Sequence, residues 1–362
     1  MKQLFPFLLL LLACQEESPR PVIPLRWPVE DEITLFFCGD IMQHAPQITS
    51  AYNPETGDYE YLKTFQYIAP HWTKADFVIA NLETTLSNKD FSGYPRFRSP
   101  WQLARDLQTA GVTILVTANN HSCDQGRKGI KETLYYLDSL GIPHTGTFLD
   151  SSTYRKDHPL YLEKRGFKIA LLNYTYGTNG LPIPQGTVVS LIDTNHIQQE
   201  IRQARADSAT HLIAFMHWGY EYHSRPNRHQ QTLARWLHSQ GVEIIIGAHP
   251  HVVQPIRYLT TGTDTTGILA YSLGNFISNQ QNPGTQGGIA LQLQISRHRN
   301  SRYRARYLNH YTIRHHENDK KRYYVLPEGL PDTLFPPAQT AAARAFFART
   351  DTLLSPFPKM MP

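Results

Sequence analysis

Short apolar runs alternate with amphipathic stretches through the first two thirds of the chain. Residues 33–38, 76–80, 112–116, 168–173, 211–216 and 242–246 are rich in β-branched and aromatic side chains, with the length and continuity of strands buried on both faces. Between them, residues 61–69, 101–109, 125–140, 195–206 and 228–240 carry helical spacing. Ile130, Leu134, Leu137 and Leu140 mark one such face, with Asp124 placed to cap it, and Gly111 stops the helix before it. Strands and helices alternating in this way predict a layered α/β sheet. After residue 250 the rhythm changes. Residues 267–273, 288–295, 302–313 and 322–326 read as strands without helices between them. Ile289, Leu291, Leu293 and Ile295 alternate as a half-buried antiparallel strand should. An alanine-rich helix over 338–348 follows, then a Pro-rich tail, 351–362, expected to fray.

The N-terminus has a different pattern. Lys2 precedes an apolar run over 4–12, broken by Pro6 and too short to span a bilayer, which reads as a signal segment. Its ending, Leu11-Leu12-Ala13-Cys14, resembles a bacterial lipobox. That resemblance implies cleavage before Cys14, lipidation of its thiol and an extracytoplasmic, membrane-anchored lipoprotein. The expected organisation is a signal peptide over 1–14, a Pro-rich tether over 15–32, a main domain over 33–280, strands and a helix over 281–350 completing it, and the tail. Cys38 and Cys123 are too few for a disulfide framework. They could pair, face a site, or serve as small buried hydrophobes. A formal net charge of +5 suits anionic partners without demanding nucleic acid, and none is expected. Arg302, Arg304 and Arg306 share one face of an expected strand, which suits a polyanion and would equally guard a sheet edge.

Polar clusters follow the apolar runs. Asp40 follows the first, Asn81 and Glu83 the second, Asn120 and His121 the third, His217 a later one, and His249 with His251 the last. Ligand sites in α/β folds gather beyond the carboxyl ends of strands. If residues 249–251 stay extended, the two histidines leave one face and converge. Carboxylate, amide and imidazole donors drawn to one place suit one or two divalent cations of the manganese, iron or zinc class.

Six motifs occur in order: Gly39-Asp-Ile-Met42, Asn81-Leu-Glu83, Ala118-Asn-Asn-His-Ser-Cys-Asp-Gln-Gly126, His217-Trp-Gly-Tyr-Glu-Tyr222, Gly247-Ala-His-Pro-His251 and Ser272-Leu-Gly-Asn-Phe276. Together they resemble the CapA-type family associated with bacterial poly-γ-glutamate capsule synthesis, a relative of the calcineurin-like metallophosphoesterases. The resemblance implies a metallophosphoesterase-like two-sheet sandwich flanked by helices, with antiparallel C-terminal strands. It places Asp40, Asn120, His217, His249 and His251 as metal ligands and His121 beside the reacting group, and Glu83, at the end of the second apolar run, is the further expected ligand. Arg98 (in the family's Phe-Arg segment), Glu221 and Asn275 are the expected substrate-binding residues. Met42 stands where the phosphoesterases carry a histidine, and Asn81-Leu-Glu83 replaces their second Gly-Asp motif. The implied function is metal-dependent hydrolysis of an anionic polymer or phosphoester at the cell surface. The alternative is a non-catalytic polymer-binding or export component of a capsule synthase, whose other subunits would then be its partners.

Overall fold

The computed structural model describes residues 29–262, 264–298, 302–317, 322–331, 333, 337–355 and 357. Cys14, the signal segment and most of the tether lie outside the described residues, as do the side chains of residues 301–321 with their arginine-rich strand face.

Two sheets stack face to face. In the first, the strand Val29–Ile41 pairs in parallel with Phe77–Leu82, which pairs in parallel with Ile114–Val116, and His144–Thr145 closes that edge. On its other side Val29–Ile41 meets the antiparallel strands Gly287–His298, Arg302–Glu317 and Tyr323–Pro327. In the second sheet Phe167–Thr175, His211–His217, Ile244–Ala248 and Asp264–Ala270 run parallel, with antiparallel strands at both edges. Strand residues divide by parity. Leu35, Phe37, Ile79, Ile213, Phe215, Ile244 and Ile246 point into the core between the sheets. Phe36, Cys38, Val78 and Ala80 point outward under the helix Gln102–Ala110 and its neighbours. Leu172, Ala214, Met216 and Ile245 do the same under Thr194–Ala206 and Arg228–Ser239. A strand buried on both faces needs apolar residues at every position, which is why the runs are continuous.

Several expectations change. Residues 29–32, placed in the tether, belong to the first strand, where Asp31 pairs with Arg297 and Glu32 with Ser296. The helix expected over 61–69 is two short ones, Leu62–Phe65 and Ala69–Trp72. The tail does not fray throughout: the last helix runs over Pro337–Leu353, and Leu354 and Phe357 are buried in the inter-sheet core. Burying two large apolar side chains stabilises by about 3–6 kcal/mol in total, which holds that segment down. Asp124 does not cap the helix Gly126–Ser139. Gln125 occupies the cap position, and Asp124 turns toward His121 and the Phe97 amide instead. Cys38 and Cys123 are both free and buried, each in a different apolar cluster.

Candidate metal centre

The parallel strands of both sheets end at one edge of the sandwich, and two glycines let the backbones close there. A Cβ at Gly39 would stand 2.1 Å from the Gly274 carbonyl oxygen, and one at Gly247 only 1.9 Å from that of Tyr271. The residues that follow, Asp40 and the pair His249 and His251, are thereby brought together from the two sheets.

The histidines do not converge as an extended strand. His249 has φ 94° and His251 φ 58°, both in the left-handed region. Each such residue costs about 1–3 kcal/mol and persists only where its surroundings hold it. Here the His249 amide points at the Asp40 carboxylate, 3.3 Å from Oδ2, the Tyr222 amide donates to the Pro250 carbonyl, and the Trp218 amide donates to that of Ala248.

Asp40, Glu83, Asn120, His217, His249 and His251 meet, all of them buried. One ligand atom from each of Glu83, His249 and His251 lies within 4.8 Å of the others, and the same holds for Asp40, Glu83 and His217. Glu83 is common to both groups and could bridge two ions. His251 Nδ1 lies 3.0 Å from Asp40 Oδ2 and 3.1 Å from Asn275 Oδ1. Two oxygen acceptors hold the proton on Nδ1 and leave the Nε2 lone pair free, 3.8 Å from Glu83 Oε1. His217 Nε2 lies 2.8 Å from Asn120 Oδ1 and 3.6 Å from Glu83 Oε1. Asn81 Nδ2 donates to Asp40 Oδ1 at 2.8 Å and also approaches Glu83 and His217.

Two atoms in this cluster, Glu83 Oε1 and His249 Nδ1, are buried without a hydrogen-bond partner. Burial and then the Asp40 charge push the Glu83 carboxyl well above its usual range. Burial, with His249 and His251 beside it, holds His217 well below the ordinary imidazole value, and burial with His251 lowers His249 to about 3. Burial would raise Asp40 too, but the hydrogen bond and charge of His251, with the Asn81 amide, outweigh it and hold Asp40 low. His217 and His249 are therefore neutral and carry lone pairs, and the ionised form of Glu83 is disfavoured until a positive charge stands beside it. Such a donor set fits a divalent cation.

His121 stands at the rim. Its Nδ1 lies 2.7 Å from Asp124 Oδ2, which also accepts the Phe97 amide, and the Phe97 ring meets it edge-on at 4.6 Å. His121, His251, Glu221 and Arg96 border a cavity of about 270 Å³ above the cluster. Glu221 is thus where a substrate residue is expected, but two other candidates are not. The Arg98 guanidinium is buried and taken by Asp90 and Glu132, and it is Arg96 that reaches the cavity. Asn275 is fully buried, its amide donating to Ser278, Gln280 and the Thr285 carbonyl, so it orients His251 rather than touching a substrate.

Sequence reasoning missed the residues that hold the ligands. Asn179, in a loop with φ 51°, accepts from Asn120 Nδ2 and so turns Asn120 Oδ1 toward His217. Asn119 Nδ2 donates to the Leu82 carbonyl, locking that turn beside Glu83. Tyr176 lies on His249, its ring centroid 4.5 Å away, and stacks parallel to His217. The polar, Gly-containing stretch 176–180 was the only available signal for this loop.

The capsule biosynthesis protein CapA of Bacillus anthracis is 25% identical over 300 residues, covering 79% of this chain and 70% of that protein. The PGA biosynthesis protein CapA of Bacillus subtilis (strain 168) is 28% identical over 283 residues, covering 76% of this chain and 70% of that protein. Among solved structures, NAD nucleotidase of Haemophilus influenzae overlaps with a TM-score of 0.45 at 12% identity, covering 89% of this chain and 67% of that one. The family model of the bacterial capsule synthesis protein PGA_cap matches residues 34–280, which run from the first strand past the last of the six motifs, and the chain belongs to that family.

Proposed function

We propose that the chain is a metal-dependent hydrolase of capsule or poly-γ-glutamate metabolism, acting on an anionic polymer or phosphoester. The observation that carries this reading is the convergence of two overlapping ligand groups on Glu83, with two buried acceptor atoms left unpaired. The cation is of the manganese, iron or zinc class, because imidazole and carboxylate donors are mixed. When bound, it supplies Lewis acidity toward a substrate oxygen and lowers the pKa of water. Asp124 holds His121 by Nδ1, so Nε2 is the nitrogen available to give a proton to a leaving group in the cavity. Arg96 and Glu221 line the approach of the substrate. The Leu-Leu-Ala-Cys14 ending supports a lipid anchor at the cell envelope, and the cationic net charge suits an anionic polymer.

The test uses metal-loaded protein against generic phosphodiesters and γ-linked glutamate oligomers. His121→Ala should keep its metal and lose about a hundredfold or more in turnover. The double variant His249→Ala/His251→Ala should lose metal and turnover together while remaining folded. A double variant that retains full metal content ends the metal-centre reading. A metal-loaded wild type that binds the oligomers without cleaving them leaves the non-catalytic polymer-binding component.

A further inference from the structure

Beside the centre, and separate from the cavity at His121, lies a larger groove of about 680 Å³. It opens between residues 218–220, just past the strand His211–His217, and the helix Arg228–Ser239. Its walls are aromatic: Tyr176 is 48% exposed, Tyr220 is 57% exposed, and Trp218 and Trp236 are set deeper. Exposed rings of this size gathered on one concavity of a folded chain mark a ligand surface.

The lining decides what that ligand is. Among the described residues no Asp, Glu, Lys or Arg borders the groove, so a polymer of carboxylates would find no counter-charge there. Asn227 Oδ1 caps the helix by accepting the Gln230 amide, while exposed hydrogen-bonding side chains, Thr194, His229 and Thr232, are interleaved with the rings. An acyl chain filling the groove would take these from water and give nothing back. A neutral ring with an apolar face and hydroxyls at its edge satisfies both parts of the lining, stacking on the aromatic faces and bonding to the rim. We propose that this groove is a saccharide-binding site, seating uncharged sugar rings.

Tyr176 gives the direction. The ring that borders the groove also lies on His249 and His217, so a sugar stacked there is a neighbour of the metal centre. Resting on the hydrolase reading for this clause alone, the substrate is a glycan-linked anion, its sugar in the groove and its charged group at the centre.

Calorimetric titration of the full chain with the N-acetylglucosamine tetramer tests the site. Binding should be measurable, about tenfold weaker in Tyr220→Ala, and restored in Tyr220→Phe, which keeps the stacking face. Tyr220 is exposed, so its loss leaves folding intact, checked by an unchanged Tm. Binding should also persist in His249→Ala/His251→Ala, which separates the groove from the centre: a protein that binds the tetramer but no metal overturns the hydrolase reading and leaves the groove standing. Three results overturn the proposal: no binding of the tetramer while a nonionic polyoxyethylene alkyl detergent binds, no binding of either, or tetramer binding undiminished in Tyr220→Ala.

Discussion

Replacing Glu83 by Gln should change the sign of its effect with metal. In the metal-free protein Glu83 is fully buried, its Oε1 has no hydrogen-bond partner, and the Asp40 carboxylate is close by. An unsatisfied buried polar atom costs about 1–3 kcal/mol, more when charged. Because burial and Asp40 raise the folded-state pKa of Glu83 above its unfolded value, its contribution is most favourable at acid pH and is lost as pH rises through the folded value. At neutral pH the uncharged amide should thus leave the chelated protein unchanged or stabilise it by about 1–3 kcal/mol, a rise of a few degrees in Tm. With a saturating divalent cation the order reverses. The wild type gains about 2.7 kcal/mol at a free ion concentration a hundred times Kd, and Glu83→Gln, lacking the carboxylate shared by both ligand groups, gains far less. Paired urea melts, with chelator and with manganese or zinc, read both numbers. A Glu83→Gln protein that is less stable than wild type under chelator, or that gains as much from metal, would falsify this account.

Other outcomes follow from the same geometry. Asn275→Ala should weaken metal binding about 10–100-fold, the usual scale for a group that orients a ligand, while KM for any substrate stays put; a KM effect at unchanged metal affinity would restore it to substrate binding. His211, away from the centre, is held to about 3 by burial. Below pH 6.5 the unfolded chain binds a proton that the native state refuses, so stability should fall with pH at up to about 1.4 kcal/mol per unit from this group; urea midpoints of His211→Gln against wild type between pH 7 and 4 should differ in slope. Cys14→Ser should move the protein from membrane to soluble fractions, and continued membrane partitioning would refute the lipobox reading.

The sequence by itself determined where the strands of the α/β portion lie along the chain and the identity of the metal-ligand candidates. Both are local properties. A strand buried on two faces needs an unbroken apolar run, and polar residues placed just past its end can only sit at the sheet's carboxyl edge, as Asp40, Glu83, His217 and His249 do. Tertiary structure decided what depends on partners far away in sequence. Arg98 and Arg96 are two residues apart and chemically alike, yet Asp90 and Glu132 claim one while the other reaches the cavity. Asp124 looks like a helix cap, but His121 and the Phe97 amide compete for its carboxylate and win. No local propensity foretells left-handed histidines at 249 and 251, because the Asp40 contact that offsets their strain comes from the other sheet. Nor does Asn179 announce that it aims Asn120. Short-range patterning places a side chain on an element; which atom it turns toward the centre is settled by contacts that exist only once both sheets have packed.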